Sequence, residues 1–246
     1  MRILFLTDNF VPETNAPAIR TFEHARVWVR EGHDVTVVTG VPNFPTGRIH
    51  KGYRNRPYSV EEIEGIRVVR VWTYITANIG TLRRSIDYIS FLLTSIPAGL
   101  IQERPDIVVG TSPQLLTPLA AWVVARLRRA PFVFELRDLW PESIAAVGAV
   151  LDKPSMRMMS ALADFLYRHA DAIVSVAHFK GHELSGFGGT IKNVGMGCAS
   201  RKGKLAQHST VSPKINDENC VGCGECIQIC PNRAIDVQCS ADIPAF

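Results

Sequence analysis

The stretch "RILFLTDNFVPETNAPAIR", residues 2–20, decides the fold. It opens with a short apolar run, typical of a buried strand, and continues into a polar loop. Pro17 suits the first turn of a helix because its fixed φ is already helical, and Asn15 or Thr14 can cap that helix. Apolar side chains then recur at helical spacing. The stretch therefore predicts a strand over 2–7, a polar loop and a helix over 17–30.

The same alternation of strand and helix continues along the chain. Each further strand is a short apolar run, which is typical of strands buried on both faces of a parallel sheet. The sequence therefore predicts an α/β fold, with a parallel sheet covered by helices on both faces. The further predicted strands are 33–39, 66–72, 106–110, 131–137 and 171–176, and the further helices are 81–102, 114–128 and 155–168.

The texture of the sequence changes at about His178. The following segment is rich in glycine, has no sustained periodicity and is interpreted as loops. We therefore divide the chain into an α/β domain over 1–176, a glycine-rich linking segment over 177–210, and a small cysteine-containing segment over 211–246.

Composition excludes one class of partner and indicates a compartment. The formal net charge of +4 is mild and dispersed, which gives no support to nucleic-acid binding. All six cysteines lie at or beyond Cys198, and four of them lie between 220 and 230. Such clustering is typical of metal binding in a reducing compartment rather than of disulfides. The first apolar run is too short for a signal peptide, so we expect a cytoplasmic protein.

The run "ENCVGCGECIQICPN", residues 218–232, has the spacing C-x2-C-x2-C-x3-C followed by proline, which is the pattern that holds iron–sulfur clusters. Thiolates are the soft anionic ligands that such iron requires, and Gly222 and Gly224 allow tight turns between them. Zinc is the alternative, but zinc sites usually pair two separated C-x2-C knuckles. We expect a 4Fe-4S cluster on Cys220, Cys223, Cys226 and Cys230.

The fourth ligand of this cluster stays open. In two-cluster ferredoxins the last cysteine of such a run ligates the other cluster. Cys230, Cys239 and Cys198 are therefore the alternatives for the fourth position. If the chain carries such a cluster, we expect it to have a redox partner.

Polar side chains gather where three of the predicted strands end. In an open parallel sheet, ligands bind outside the carboxyl ends of the strands. That rule selects the loop after the first strand, the loop 110–114 and the loop 137–143. Thr111 and Ser112 alone are better interpreted as turn residues, whereas the third loop concentrates several functional groups. These are Arg137, Asp138, Trp140 and Glu142.

The helix predicted over 81–102 has two interpretations. It contains Asp87 and Pro97, and its apolar part is shorter than the roughly 20 residues needed to span a bilayer. A core helix is the simpler interpretation. Because Arg83 and Arg84 precede the apolar part, peripheral contact with the inner membrane is the alternative.

Several separate motifs resemble the N-terminal domain of family 4 glycosyltransferases, most closely the subgroup that builds bacterial surface polysaccharides. They cover about residues 1–175 and are "FVPETNAPAIRTFEHARVWVREGHDVTVVTGVPNFPTGRIHKGY", "GIRVVRVWTY" and "FELRDLWPES". The resemblance implies the first half of a GT-B fold, in which a Rossmann-like domain lies on the acceptor side of a cleft. It also implies metal-independent transfer from a nucleotide sugar to a sugar or lipid-linked acceptor.

The resemblance also implies site residues. Glu13, Asn15 and Arg20 match the family's acceptor-side loop, and the Asp-x-Trp-Pro-Glu signature falls on 138–142. The chain departs from many relatives in having "NAPA" in place of a glycine pair, and Gly110, Thr111 and Ser112 in place of a histidine. We expect the nucleotide-sugar domain to be absent, and therefore no transfer by this chain alone, because positioning both reactants supplies much of such catalysis.

A second resemblance covers about residues 172–236. "HFKGHELSGFGGTIKNVGMGCASRKGKLAQHS" and the cysteine run resemble the middle of a prokaryotic family of uncharacterised iron–sulfur proteins. Three hypotheses follow: a glycosyltransferase acceptor domain with a cluster-binding tail, an iron–sulfur module on an α/β scaffold, or a chimeric fusion of two truncated genes without integrated activity.

Overall fold

A computed structural model describes residues 1–76, 81–137, 153–175, 180–182, 186–188 and 223–224. The chain divides into two compact units, residues 1–201 and 202–246. The predicted domain bounds, with the linking segment over 177–210, stay a prediction.

The first unit alternates strands and helices in the predicted manner, with most element ends within two residues of the expectation. Its strands are β1 (Arg2–Leu6), β2 (Asp34–Thr39), β3 (Tyr58–Ile63), β4 (Ile66–Val71), β5 (Ile107–Thr111), β6 (Phe132–Leu136), β7 (Ala172–Ser175), β8 (Lys180–His182) and β9 (Gly186–Gly188). Its described helices are α1 (Ala16–Arg30), α2 (Thr81–Leu100), α3 (Leu116–Arg128) and α4 (Lys153–His169).

Seven strands form one sheet in the order β3-β4-β2-β1-β5-β6-β7. All neighbours are parallel except β3 and β4. β1 lies between β2 and β5, so that Phe5 pairs with Val37 on one side and Val109 on the other. Since the chain moves outward from β1 in one direction and then in the other, the strand order reverses here. This reversal is where open α/β sheets bind ligands.

Helices cover both faces of the sheet, as the sequence predicted. α1 packs on one face, where Ala25 and the partly buried Phe22 and Trp28 meet alternate residues of β1, β2 and β4. α2, α3 and α4 cover the other face, with Phe91, Val124 and Leu166 among the buried side chains. The α/β prediction of a Rossmann-like, mostly parallel sheet is therefore confirmed.

Gly110 shows why β5 and α3 approach so closely. A Cβ placed there would come within 2.6 Å of the Ala121 Cβ and 2.8 Å of the Pro118 Cα. Both are short, rigid groups, so the strand and helix would have to separate to accommodate any side chain. The glycine thus sets the position of the loop that follows β5.

The structure adds a strand that the sequence analysis did not predict. β3 pairs antiparallel with β4 through a turn at Glu64 and Gly65, both with positive φ. It lies at the edge of the sheet, and its residues are exposed or only partly buried. Glutamates at 61 and 62 break its apolar pattern, and charges of this kind are common on edge strands because they discourage pairing with other chains.

The glycine-rich segment is not entirely loop, so that expectation was wrong in part. Lys180–His182 and Gly186–Gly188 pair as two short antiparallel strands, with Gly181 opposite Phe187. Backbone pairing requires no side-chain periodicity, which is why the sequence pattern gave no sign of it.

Candidate functional site

The candidate site lies at the carboxyl edge of the sheet, around the end of β1. Residues after β1, β2, β4, β5 and β6 all reach this edge, because parallel strands end on the same side. Four features define the site and are described in turn: a buried glutamate, a buried arginine, a group of carboxyls, and a set of backbone-fixing side chains.

Glu13 is buried, with 2% of its surface exposed. Its Oε1 accepts hydrogen bonds from the backbone N–H of Asn43 at 2.7 Å and of Phe44 at 2.9 Å. These bonds fasten the loop after β1 to the loop after β2. Oε2 has no hydrogen-bond partner among the described residues.

Arg70 is the second buried anchor, with 2% of its surface exposed. Its guanidinium donates to the carbonyl of Gly40 at 3.1 Å, to the carbonyl of Val11 and to the Glu61 carboxylate. It also lies over the ring of Tyr53, 4.8 Å from the centroid. One side chain on β4 therefore fixes the loops that follow β1 and β2.

Three carboxyl groups of the chain have raised pKa values. Burial is the main cause for Asp8 and Glu13, which both lie in the loop after β1. The pKa of Asp87, in α2, is raised to about 7, chiefly by burial and in smaller part by the negative charges of Asp8 and Glu13.

A hydrogen-bonded link holds this part of α2 against the sheet edge. The Ser90 hydroxyl accepts a hydrogen bond from the backbone N–H of Tyr74 at 2.8 Å and donates to the carbonyl of Asp87 at 2.7 Å. Tyr74 lies three residues beyond the end of β4. The turn of α2 that carries Asp87 is thereby fixed to the loop after β4.

Each of the three carboxyls also has a cation near it. His50 lowers the pKa of Glu13, Arg84 lowers that of Asp87, and Arg137 lowers that of Asp8, in each case less than burial raises it. No group of three or more His, Cys, Asp or Glu side chains with metal-binding geometry occurs within the described ranges.

Asn15 caps α1, as predicted. Its Oδ1 accepts from the backbone N–H of Ala18 at 2.9 Å, and its Nδ2 donates to Asn9 Oδ1 at 2.9 Å. Both ends of the amide therefore serve the loop after β1 and the first turn of the helix.

Thr111, Ser112 and Arg137 meet where β5 and β6 end. Thr111 and Ser112 are buried, and Thr111 Oγ1 donates to the carbonyl of Ser112 at 3.0 Å. Ser112 Oγ accepts from the backbone N–H of Arg137 at 2.7 Å. These hydroxyls fix the backbone that carries the Arg137 side chain.

Arg20 lies in a buried ion pair. Its Nη2 is 3.2 Å from Oε1 of Glu135, a β6 residue with 4% of its surface exposed. His24 Nδ1 lies 3.9 Å from the same oxygen. Burial lowers the pKa of His24, although the Glu135 carboxylate opposes the shift. Arg20 thus ties α1 to β6, a partner that the resemblance did not suggest.

A cavity lies at the opposite edge of the sheet. It has a volume of about 490 Å³ and is lined by Arg2, Asp34, Arg67 and Glu103, with other residues. Arg67 Nε and the buried Gln102 Oε1 are 3.3 Å apart, and the Gln102 amide also donates to the Ala98 carbonyl. The buried Gln102 amide already has hydrogen-bond partners, and the cavity lies away from the carboxyl ends of the strands. We therefore place the functional site elsewhere.

Part of the predicted site lies outside the described residues. This applies to Asp138 and Glu142 of the third loop and to Cys220, Cys226 and Cys230 of the cysteine run, as well as to Cys198 and Cys239. Cys223 is described and exposed, and Gly224 beside it has φ +68°. An exposed thiol next to a left-handed glycine fits the predicted turn between cluster ligands.

Sequence reasoning missed four residues of the site. Asp8 follows a predicted strand directly, so the rule about strand ends could have selected it. Arg70 and Glu135 lie within strands. The alternation of side chains along a strand could have placed each on a buried face, but it does not indicate which residue each one contacts. Asp87 was considered only as a charge that argues against a membrane span, and no local signal connects it to β1.

The fold is that of a Rossmann-like α/β domain, with buried polar side chains gathered at the carboxyl edge of its sheet. Residues 15–194 match the family model described as "Glycosyl transferase 4-like domain". This match spans most of the chain, and the chain belongs to the glycosyl transferase 4-like family. Residues 213–236 match the model described as "4Fe-4S binding domain". Both predicted motif assignments are thereby confirmed.

A curated relative is "Putative colanic acid biosynthesis glycosyl transferase WcaI" of Escherichia coli (strain K12), which is 27% identical over 150 residues. The aligned part covers 60% of this chain and 37% of the relative, so the chain spans little more than a third of that protein's length. A similar solved structure is that of Phytolacca americana UGT2 complexed with UDP-2fluoro-glucose and pterostilbene. It has 12% identity and a TM-score of 0.43, covering 72% of this chain and 48% of that one.

The raised pKa of Asp87 predicts how stability depends on pH. Between its usual value of 3.8 and about 7, the unfolded chain loses this proton before the folded chain does. The free energy of unfolding therefore falls as the pH rises through that window, and this loss of stability is complete above it. Asp87→Asn should make the protein more stable than wild type at about pH 8, by roughly 1 kcal/mol because partial exposure screens the charge.

Urea denaturation at about pH 5 and about pH 8 measures this effect. Asp164→Asn is the matched control, since Asp164 is exposed on α4. A gain in stability at pH 8 no larger for Asp87→Asn than for Asp164→Asn would contradict the prediction.

Proposed function

We propose that the α/β domain is the acceptor-side half of a sugar-transferring enzyme of bacterial surface-polysaccharide synthesis. The observation that carries the proposal is the position of the polar residues. They gather at the point where strand order reverses in a glycosyl transferase 4-like domain. Glu13, Asn15, Thr111, Ser112 and Arg137 form the wall of the acceptor cleft, and Arg20 supports it from behind through Glu135. Asp138 and Glu142 complete the predicted set.

In this proposal the domain holds the acceptor, and a separate nucleotide-sugar-binding domain supplies the donor. The fastened loops after β1 and β2 support it, because an acceptor hydroxyl must be held still to attack. A rigid loop loses little conformational freedom when the acceptor binds. The acceptor is a sugar or a lipid-linked sugar.

We further propose that the cysteine segment binds a 4Fe-4S cluster through Cys220, Cys223, Cys226 and a fourth cysteine, Cys230 in the first instance. When bound, such a cluster supplies one-electron transfer to a redox partner. The match over 213–236 and the exposed Cys223 beside a left-handed Gly224 support this. Two alternatives stay open: an iron–sulfur module on an α/β scaffold, and a fusion without integrated activity. Assays for the cluster and for sugar binding distinguish them.

The surface of α2 supports a location at the cytoplasmic face of the inner membrane. Within the described residues, no helix is long and apolar enough to cross a membrane. α2 instead exposes an apolar stripe, spaced four, three and four residues apart, whose members are Leu82 (74% exposed), Ile86 (42%), Ile89 (47%) and Leu93 (64%).

Charge at the start of α2 complements this stripe. Arg83 and Arg84 are exposed, and the single acid of the helix, Asp87, is half-buried with the carboxyl group described above. An amphipathic surface with cationic side chains and no exposed acid fits the interface of an anionic bilayer. Because this end of α2 adjoins the carboxyl edge, membrane contact would bring a lipid-linked acceptor to the cleft.

The acceptor-side proposal predicts saccharide binding without sugar transfer. Residues 1–246 on their own should form no labelled product from nucleotide sugars and lipid-linked acceptors, because the α/β domain is proposed to hold only the acceptor. Binding of a surface oligosaccharide should shift backbone amide NMR signals of residues 8–15 and 111–115. Residues 34–36 and 65–67, which line the cavity at the opposite edge, serve as the internal control. Product formed by the chain alone, or shifts confined to the control residues, would disprove the proposal.

The membrane proposal predicts binding to vesicles of phosphatidylglycerol and phosphatidylcholine. The paired change Arg83→Gln and Arg84→Gln should weaken vesicle binding by roughly thirtyfold, since each basic residue contributes about 1 kcal/mol at an anionic surface. Leu82→Ser with Leu93→Ser should weaken it similarly. Val27→Ser, at an exposed valine on the other face of the sheet, is the control. Equal binding by the control and the stripe variants argues against the α2 surface.

The cluster proposal predicts about four irons and four sulfides per chain after anaerobic purification. Cys223→Ser should abolish the visible absorption of the cluster. Among Cys230→Ser, Cys239→Ser and Cys198→Ser, the variant that also loses it identifies the fourth ligand. If the purified protein contains stoichiometric zinc in place of iron, the proposed redox function is wrong.

A further inference from the structure

Another cavity lies beside the start of β3, the antiparallel edge strand. Its volume is about 450 Å³, within the roughly 300–1,000 Å³ that small-molecule sites occupy. Three arginines and one acid are among its described lining residues, so this lining carries two positive charges in excess. The described lining residues are Gly52, Tyr53, Arg54, Arg56, Ser59, Val60, Glu61 and Arg70.

The loop before β3 is fastened to the carboxyl edge of the sheet. Asn55 donates through Nδ2 to the Thr73 carbonyl at 2.8 Å and accepts from the Thr73 backbone N–H at 3.3 Å. Thr73 lies against Gly40, directly after β2, because a Cβ placed on Gly40 would come within 3.4 Å of the Thr73 side chain. The cavity therefore adjoins the loops that Arg70 holds in place.

The charges in the lining are not equally engaged. Glu61 pairs with the buried Arg70 through one oxygen, and its other oxygen accepts from the Tyr53 hydroxyl at 3.4 Å. Arg54 and Arg56 are both exposed, and neither guanidinium has a hydrogen-bond or ion-pair partner among the described residues. These two cations are therefore available to a ligand in the cavity, while the acid that could oppose them is already paired.

We propose that Arg54, Arg56 and Ser59 form a site for the phosphate group of a phosphorylated acceptor. This inference rests on the proposed acceptor function and names a chemical class, a phosphate ester, for part of that acceptor. Guanidinium groups pair with phosphate oxygens through two parallel hydrogen bonds. A phosphate monoester offers three oxygens in separate directions, enough for both arginines and the Ser59 hydroxyl, whereas a carboxylate offers two oxygens in one plane.

A sugar phosphate and a phospholipid headgroup both carry this chemistry, and the test has one arm for each. Glucose 1-phosphate and methyl α-glucoside are the probes of the first arm. Calorimetry should show glucose 1-phosphate binding more tightly. The paired change Arg54→Gln and Arg56→Gln should weaken it by roughly tenfold, the low end for loss of charge-assisted hydrogen bonds, since the site is exposed. The same pair should leave methyl α-glucoside unaffected.

Two further pairs separate the site from a general charge effect. Arg30→Gln with Arg157→Gln removes two exposed arginines from other surfaces and should change neither affinity. Arg54→Lys with Arg56→Lys keeps both charges but loses the planar fork, so it should restore only part of the affinity. Circular dichroism should show every variant folded, because the substituted side chains have no partner among the described residues.

Vesicles of phosphatidic acid in phosphatidylcholine form the second arm. If a lipid headgroup is the source, the Arg54 and Arg56 glutamine pair weakens co-sedimentation more than the control pair does. The phosphate site then stands with a lipid as its ligand, even where glucose 1-phosphate binding is independent of these arginines. Where neither probe loses more binding in this pair than in the control pair, the inference is wrong.

Failure of the phosphate site is distinguishable from failure of the acceptor function. If the arginines have no effect but a neutral surface oligosaccharide still shifts the amide signals of residues 8–15 and 111–115, the acceptor function stands alone. If a phosphate probe binds through the arginines but no saccharide shifts those signals, the phosphate site stands and the proposed acceptor function is wrong.

Discussion

The arrangement at the carboxyl edge depends on the buried guanidinium of Arg70. It reaches from β4 to the carbonyl groups of Val11 and Gly40, and Glu61 on the edge strand balances its charge. A buried charge is tolerated only when its hydrogen-bonding groups are satisfied, so the loops after β1 and β2 must keep the positions that supply those carbonyls. The flat guanidinium meets several acceptors at once, which an ammonium could not do in the same way.

Glu13 fixes a further part of the loop after β2. Its carboxylate holds the backbone at 43–44, and the loop that carries it is itself held by Arg70 through Val11. Glu135 plays a comparable part across the sheet by pairing with Arg20 of α1. Buried polar groups therefore connect the loops at the carboxyl edge of the sheet. Such preorganisation is valuable where a sugar hydroxyl has to be oriented.

The two motif assignments concern chemistries that share no evident reaction. Residues 15–194 belong to the glycosyl transferase 4-like family, and residues 213–236 match a 4Fe-4S binding domain. The α/β unit carries its own core, so nothing in its described residues requires the cluster for folding.

The sequence by itself determined the α/β architecture, most element positions, the Asn15 cap and the cysteine motif, because these depend on local periodicity and spacing. It missed β3 and the β8–β9 pair, where charges or glycines hide the alternation that marks a strand. Only the tertiary structure decided the site. Arg20 is directed to Glu135, more than a hundred residues away in the chain, and Ser90 of α2 is bonded to the backbone of Tyr74 beyond β4. Contacts between distant segments follow from strand order and helix packing, and no local pattern encodes either.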